Sequence, residues 1–249
     1  YDTELSFNAA DLLKTLSWLN IAPPAPVAST YRKAVGSAKI SGTLNKIHIS
    51  PFELTMDKSS LSGEAGIKLD KRIDAMVVLK TDMINFDNYI SQLSEEERNA
   101  PWIQRMGYRF ARLGALNDFD IQLEAKADLA IYENLPFEKV DFKGSLLDGK
   151  LEVARFNISS VANSEMQWSG LVSGFGGQPQ FENLKFNVKT ADVAALINKL
   201  ELDAPQLDYT QLRNLKAQGI ITGNPKHFAT KSVVSLENLE AVYGGQVND

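Results

Sequence analysis

Hydrophobic and polar residues alternate almost without interruption along residues 119–131. Successive side chains of a β-strand point to opposite faces, so this alternation predicts a strand with one dry face and one wet face. At about 3.3 Å per residue the segment spans about 43 Å, more than twice the length of an ordinary strand. A strand of this length predicts an extended sheet.

The same pattern returns on both sides of this strand. Residues 40–44, 76–79 and 184–188 predict further strands, and the alternation changes parity near Arg155. Asp148-Gly149 predicts a tight hairpin, because a type I′ turn needs positive φ at both central residues. We therefore predict a mostly β fold. It has a long, twisted antiparallel sheet, curved into a groove or taco-like repeat array, with a few short capping α-helices.

Three positions combine the end of a predicted strand, an Asn or Asp residue and an apolar pattern at helical spacing. They are Asp11 before Leu12, Leu16 and Leu19; Asn85 or Asp87 with Phe86, Ile90 and Leu93; and Asp192 before Val193, Ile197 and Leu200. Asn and Asp at a helix N-cap accept hydrogen bonds from the free amides of the first turn. The recurrence predicts a repeated β-rich unit closed by a short helix, which is typical of a quasi-one-dimensional array.

These signals divide the chain into five segments. Residues 94–116 carry a Ser94–Glu97 capping box and an amphipathic helical pattern, and they interrupt the β rhythm as an insertion. The full division is 1–30 (end of a preceding repeat with a Pro-rich linker), 31–93 (β-rich repeat with closing helix), 94–116 (helical insertion), 117–203 (β-rich repeat with closing helix) and 204–249 (start of a further β segment).

Composition narrows the function classes. The 249 residues carry a net charge of −5 without a basic block, which disfavours a nucleic-acid surface. The chain contains no cysteine, so disulfides and thiolate metal sites are excluded. It has no apolar run long enough to span a bilayer, and it opens at Tyr1, so we expect any signal peptide or anchor to lie outside it.

Catalytic patterns are missing from the sequence. His48 and His227 are its only histidines, and neither has a ligand or acid-base partner at a recognisable spacing. The glycines of residues 174–177 lack the Lys and following helix of a phosphate loop, so they predict a turn. We therefore predict a protein that is not an enzyme and has no cofactor and no metal site.

The insertion offers one hypothesis of contact with anionic lipid headgroups. Trp102 lies beside a basic stripe formed by Arg105, Arg109 and Arg112, and a basic amphipathic helix suits a membrane interface. The alternative, which we favour, is a helix that covers a sheet edge or plugs the end of a groove while its arginines stay solvated.

The apolar strand faces give the main functional clue. Such faces enclose a dry core filled by their own side chains, or they line an open groove that binds a ligand. The residues predicted to line a groove are Val77, Leu79, Phe119, Ile121, Leu123, Leu129, Leu184, Phe186 and Val188.

Several segments together resemble the AsmA family of bacterial envelope proteins, including its TamB-like relatives. They are Leu135-Pro136-Phe137, the hairpin of residues 147–151, Trp168-Ser169-Gly170, and residues 81–89 and 187–200. The resemblance implies a periplasmic protein, tethered to the inner membrane by a segment outside this chain. It also implies a β-groove that shields phospholipid during transfer between the membranes and serves outer-membrane biogenesis.

Two other function classes stay open at this stage. A structural scaffold would use the same repeats around a closed, dry core. A module that binds other envelope proteins would offer its apolar face to a partner subunit, and it would associate or aggregate when alone.

Overall fold

The computed structural model describes residues 1–18, 31–70, 72–90, 93–200, 209, 212–236 and 239–248. Within them, thirteen strands form one sheet in which neighbours in sequence are neighbours in space. The strands are β1 Asp2–Ala9, β2 Ala34–Gly42, β3 Lys46–Met56, β4 Ser59–Leu69, β5 Ile73–Asn85, β6 Phe119–Tyr132, β7 Leu135–Leu147, β8 Lys150–Val161, β9 Ser164–Ser173, β10 Gln180–Thr190, β11 Leu215–Gly223, β12 His227–Leu236 and β13 Leu239–Asn248. The helices are α1 Leu12–Trp18, α2 Glu95–Arg98, α3 Trp102–Ala111 and α4 Val193–Lys199.

The predicted fold class is confirmed in its main features. The protein is mostly β, its sheet is long and antiparallel, and its helices are few and short. The chain forms two compact units, unit 1 with residues 1–92 and 121–140, and unit 2 with residues 93–120 and 141–249. The rolling of the sheet into a groove and the five-segment division stay predictions.

Strand register sorts the side chains of unit 1 onto two faces. Residues directly opposite each other in an antiparallel pair lie on the same face. Val77 lies opposite Ala65, and Ala65 lies opposite Ile49, so apolar residues share one face. Val78, the next residue along β5, lies opposite Glu64 and therefore on the other face.

Unit 2 shows the same sorting. Phe186 lies between Trp168 and Gly219, and Leu184 lies opposite Ile221, so these residues share an apolar face. The other face of β10 carries Lys185, Asn187 and Lys189. The predicted parity change near Arg155 is confirmed, because the β8–β9 register shifts between Val153 and Phe156.

Two of the predicted helix caps are confirmed by hydrogen bonds. The Asp11 carboxylate accepts from the backbone N–H of Lys14 at 3.1 Å, and the Asp192 carboxylate accepts from that of Ala195 at 3.0 Å. Both bonds satisfy amides that the first helical turn leaves free. Leu19, predicted for the apolar face of α1, lies outside the described residues, as do the prolines of the predicted linker.

The predicted Asn85 cap after β5 is confirmed, but the helical element that follows it is shorter than predicted. Asn85 caps a single 3₁₀ turn, Phe86–Asn88, where its side chain accepts from the N–H of Asp87 at 3.0 Å. Tyr89 leaves helical geometry at φ −121°, where its ring packs edge-on against Tyr31 with centroids 5.5 Å apart. The helical turn therefore spans three residues, and the ring of Tyr89 that follows it contacts Tyr31.

The hairpin turns use left-handed backbone positions. Asp148 and Gly149 have φ values of 49° and 71°, which confirms the predicted type I′ geometry. Ala162 and Asn163 connect β8 to β9 with φ values of 48° and 58°. The sequence did not predict this second turn, because Ala has no preference for positive φ.

We expect Gly149→Ala to lower the free energy of unfolding by about 1 to 2 kcal/mol, since a side chain at positive φ is strained. The new Cβ would also lie 2.5 Å from the Asn117 Oδ1 atom. Gly66 is the matched control, because a Cβ there meets no atom within 4 Å. We expect Gly66→Ala to be neutral or to stabilise by up to about 1 kcal/mol in denaturant unfolding. Equal effects at the two positions would contradict this account.

Candidate functional site

The predicted groove-lining residues are distributed over both units. Val77 and Leu79 belong to the apolar face of unit 1, where Leu79 lies opposite Gly63. Leu184, Phe186 and Val188 belong to the apolar face of unit 2. The remaining four, Phe119, Ile121, Leu123 and Leu129, follow one side of β6. Eight of the nine are half-buried, whereas Leu184 is 9% exposed and belongs to the core.

The apolar face of unit 1 is open. Among the described residues, no apolar side chain of β1 to β5 larger than Ala is buried. At the edge strand β1, Leu5 and Phe7 are 52% and 49% exposed. A depression of about 590 Å³ lies over β1, β2 and β3, with Phe7, Gly36 and Leu54 among its lining residues. Apolar surface of this kind marks a binding site or a surface that awaits a partner.

In both units a phenyl ring lies over a glycine on the neighbouring strand. Phe7 is directly opposite Gly36, and a Cβ at Gly36 would lie 2.7 Å from the ring. Phe186 is directly opposite Gly219, where the corresponding distance is 2.9 Å. The missing side chain lets each ring approach the backbone of the neighbouring strand.

In unit 2 the helical insertion covers one end of the apolar face. Phe110 of α3 packs against a core cluster formed by Val153, Val172 and Leu184. Its ring stacks on Phe175 with centroids 5.4 Å apart and planes 6° apart. The backbone N–H of Gly176 donates to the Phe110 carbonyl at 2.8 Å. These contacts fix α3 to the turn between β9 and β10.

Arg105 and Arg112 of the basic stripe bind partners within the insertion itself. Arg105 is 9% exposed and its Nη1 donates to the Arg98 carbonyl at 3.4 Å. The Arg112 guanidinium forms an ion pair with Glu97 at 2.7 Å. The expectation that the arginines are solvated is therefore wrong for Arg105, because the buried side of the helix encloses it. Headgroup contact stays a prediction for Arg109 and Arg112, and the side chain of Trp102 lies outside the described ones.

Packing contacts are what the sequence did not reveal. Residues 174–177 were predicted as a turn, which the structure confirms, but Phe175 inside it is buried under α3. A single large apolar residue between glycines is the one signal of this role.

His48 and His227 are exposed, and the described residues contain no cluster of three metal-ligating side chains. No described helix combines the length and apolar character that crossing a membrane requires.

Comparison with protein-family models, with curated proteins and with solved structures gives no match. The two apolar faces are therefore the features of this chain that bear most directly on its function.

We expect Phe110→Ala to destabilise unit 2 by about 2 to 3 kcal/mol, somewhat below the usual cost for a fully buried ring because Phe110 is partly exposed. Tyr108, which is 39% exposed on the same helix, provides the control, and Tyr108→Ala should cost less than about 1 kcal/mol. Denaturant unfolding measures both. Equal losses would show that α3 contributes through helix formation rather than through Phe110.

The Glu97–Arg112 pair predicts a pH dependence. The hydrogen bond from Arg112, with a second from the Ser94 backbone, lowers the pKa of Glu97 below its ordinary value of 4.5. A lowered folded-state pKa means that the stabilisation is present above 4.5 and is lost as the pH falls through the folded pKa. Arg112→Gln should move the pKa of Glu97 toward 4.5 in an NMR titration. An unchanged titration would mean that the ion pair does not persist in solution.

Proposed function

We propose that this chain is a non-enzymatic, lipid-binding segment of a bacterial envelope protein, and that its apolar sheet faces bind the acyl chains of phospholipid. The observation that carries the proposal is the open apolar face of unit 1, where Leu5 and Phe7 at the edge are about half exposed. An exposed apolar surface of this extent is unfavourable in water unless a ligand or partner covers it.

The energetics suit passive binding. Each CH₂ group that leaves water contributes about 0.8 kcal/mol, so an acyl chain gains several kcal/mol on an apolar face without any chemical step. The sorting of polar residues onto the opposite face supports the proposal, because one face can stay hydrated while the other binds lipid.

The resemblance to the AsmA family supplies the biological setting of the proposal. In that setting the protein is periplasmic, is tethered to the inner membrane by a segment outside this chain, and conducts phospholipid toward the outer membrane. Other envelope proteins are further proposed partners, and the proposal includes no nucleic acid, metal or cofactor.

A structural or protein-binding scaffold is the second candidate function. It is favoured by the cluster of Val153, Val172 and Leu184, which α3 already covers with Phe110. A face that is closed in this way needs no ligand. The two candidates therefore differ in whether the open part of the face takes up lipid or only contributes to folding.

Adjacent valines on β5 provide the decisive test. Val77→Asn places an amide on the apolar face, whereas Val78→Asn places it on the opposite face beside Glu64. We expect wild type and Val78→Asn to retain phospholipid in native mass spectrometry after lipid extraction and reconstitution. We expect Val77→Asn to lose at least about tenfold in affinity while staying folded, because it inserts an unpaired polar group into the lipid contact.

Phe186→Asp and its neighbour Asn187→Asp repeat the comparison in unit 2. A wild-type protein without lipid, with Phe186→Asp and Val77→Asn both unfolded, would move the assignment to the scaffold. Concentration-dependent association of a lipid-free wild type would favour a protein-binding module instead.

A further inference from the structure

Two hairpin turns of unit 1 carry apolar residues at their tips. The turn between β2 and β3 is closed by a hydrogen bond from the Thr43 N–H to the Lys46 carbonyl at 2.8 Å, and Leu44 within it is 89% exposed. The turn between β4 and β5 is flanked by Leu69 and Ile73, which lie directly opposite each other and are both exposed. Hairpin turns favour Gly, Asn, Asp and Ser, so exposed apolar side chains at these tips have no role in forming the turns.

Both turns lie at the same end of unit 1. The Leu69 N–H donates to the Asn45 carbonyl at 2.9 Å, which joins the two turns. Tyr1, which precedes β1, donates from its backbone nitrogen to the Gly42 carbonyl at 2.9 Å, and its side chain is 61% exposed. The exposed apolar residues at this end form a surface that we name the hairpin rim, namely Tyr1, Leu44, Leu69 and Ile73.

The opposite end of unit 1 is built differently. The turn between β3 and β4 holds Asp57, whose carboxylate accepts hydrogen bonds from the backbone N–H groups of Tyr31 and Arg32, each at 3.0 Å. Tyr31 is buried there, and its ring contacts Tyr89. That end is therefore covered by other parts of the chain, whereas the side chains of the hairpin rim are exposed.

The hairpin rim lies in a locally basic part of an acidic chain. Residues 42–47 and 67–74 hold four basic and two acidic residues, and Asp2 at the same end is a third acidic one. The whole chain, by contrast, has a net charge of −5. A basic excess beside apolar tips complements an anionic lipid surface, because apolar groups enter the interface while Lys and Arg attract the headgroups.

The rim also continues the apolar face of unit 1. Just inside the tips, Ile47 lies opposite Ile67, and Ile67 lies opposite Ala75. Leu69 and Ile73 are on that same face, because they follow Ile67 and precede Ala75 by two residues. An acyl chain can therefore pass from a bilayer at the rim onto the apolar face without crossing the polar face of the sheet.

We infer that the hairpin rim docks on the surface of an anionic phospholipid bilayer. Leu44 and its apolar neighbours enter the interface, where the amphipathic ring of Tyr1 is also favoured, and Lys46 faces the phosphates. The inference deepens the proposed function, because it names the place where acyl chains enter the apolar face of unit 1.

The first test is co-sedimentation with vesicles of phosphatidylcholine, alone or mixed equally with phosphatidylglycerol. We expect Leu44→Asn to lower the affinity for both vesicles about tenfold, because it removes an apolar side chain from the interface. Met76→Asn is the matched control. Met76 is also exposed, but it lies opposite Gly66 on the polar face of β5, so this variant should keep the wild-type affinity.

The charge of the rim has its own pair of variants. We expect the wild-type chain to bind the anionic vesicles about fivefold more tightly than the neutral ones, and Lys46→Gln to bring this ratio close to one. Lys80→Gln removes the same charge about 23 Å along β5 from Ile73 and should keep the wild-type ratio. A ratio that falls equally in both variants would assign the preference to general surface charge and overturn the role of the rim.

A fluorescent label reports which residues reach the bilayer. The chain contains no cysteine, so a single introduced thiol can be labelled specifically. With a nitrobenzoxadiazole label, Leu44→Cys should show a blue-shifted and stronger emission on addition of anionic vesicles, whereas labelled Met76→Cys should not change. Equal responses from the two labels would overturn docking through the rim.

The remaining outcomes separate the inference from the proposed function. A wild type that retains phospholipid in native mass spectrometry but does not bind vesicles would overturn the inference and leave the proposed function standing. Vesicle binding through Leu44 without retained phospholipid would support the rim and overturn the lipid-binding face. Failure of both would overturn both. A dimer that Leu44→Asn dissociates, without vesicle binding, would assign the rim to a second copy of this chain and overturn the lipid surface.

Discussion

The register of strand pairing is the constraint on which the rest of the molecule depends. Each strand pairs with its neighbours in sequence, so the parity of a residue decides whether its side chain enters the apolar or the polar face. A slip of one residue would bring Lys185 onto the face of Phe186 and Glu64 onto the face of Ala65. A sheet with one apolar face needs a second layer to cover it, and in unit 2 the helix α3 provides part of that layer.

The sequence predicted those features that depend on neighbouring residues. Alternation identified the strands, and Asp11, Asp192 and Asp148-Gly149 identified two caps and a hairpin, because each acts through its own backbone or through the next few residues. The stacking of Phe110 on Phe175 could not be predicted in this way. These rings are far apart in the chain, and only the folded sheet brings α3 onto the turn between β9 and β10. The contact between Tyr89 and Tyr31 after β5 is a second example, because these rings also come from distant parts of the chain.

The two units treat their apolar faces differently. In unit 2, Val153, Val172 and Leu184 are buried beneath Phe110, so part of the apolar surface is already used for folding. In strands β1 to β5 of unit 1, by contrast, no apolar side chain larger than Ala is buried among the described residues. Covered surface stabilises the unit by itself, whereas accessible surface is available to a ligand. Under the proposed function, stability and binding would therefore depend on different strands, and a substitution in one face would affect mainly one of the two properties.

The rings that lie over Gly36 and Gly219 affect how smooth the apolar surface is. A phenyl ring close to the backbone presents a flat surface, whereas a branched aliphatic side chain at the same position would project farther from the sheet. An alkyl chain that crosses such a plane meets only small changes in contact energy from one position to the next. Under the proposed function, lateral movement of a bound acyl chain over these rings would therefore have low barriers. Replacing either glycine with a larger residue would push the ring away from the backbone and make the apolar surface less even.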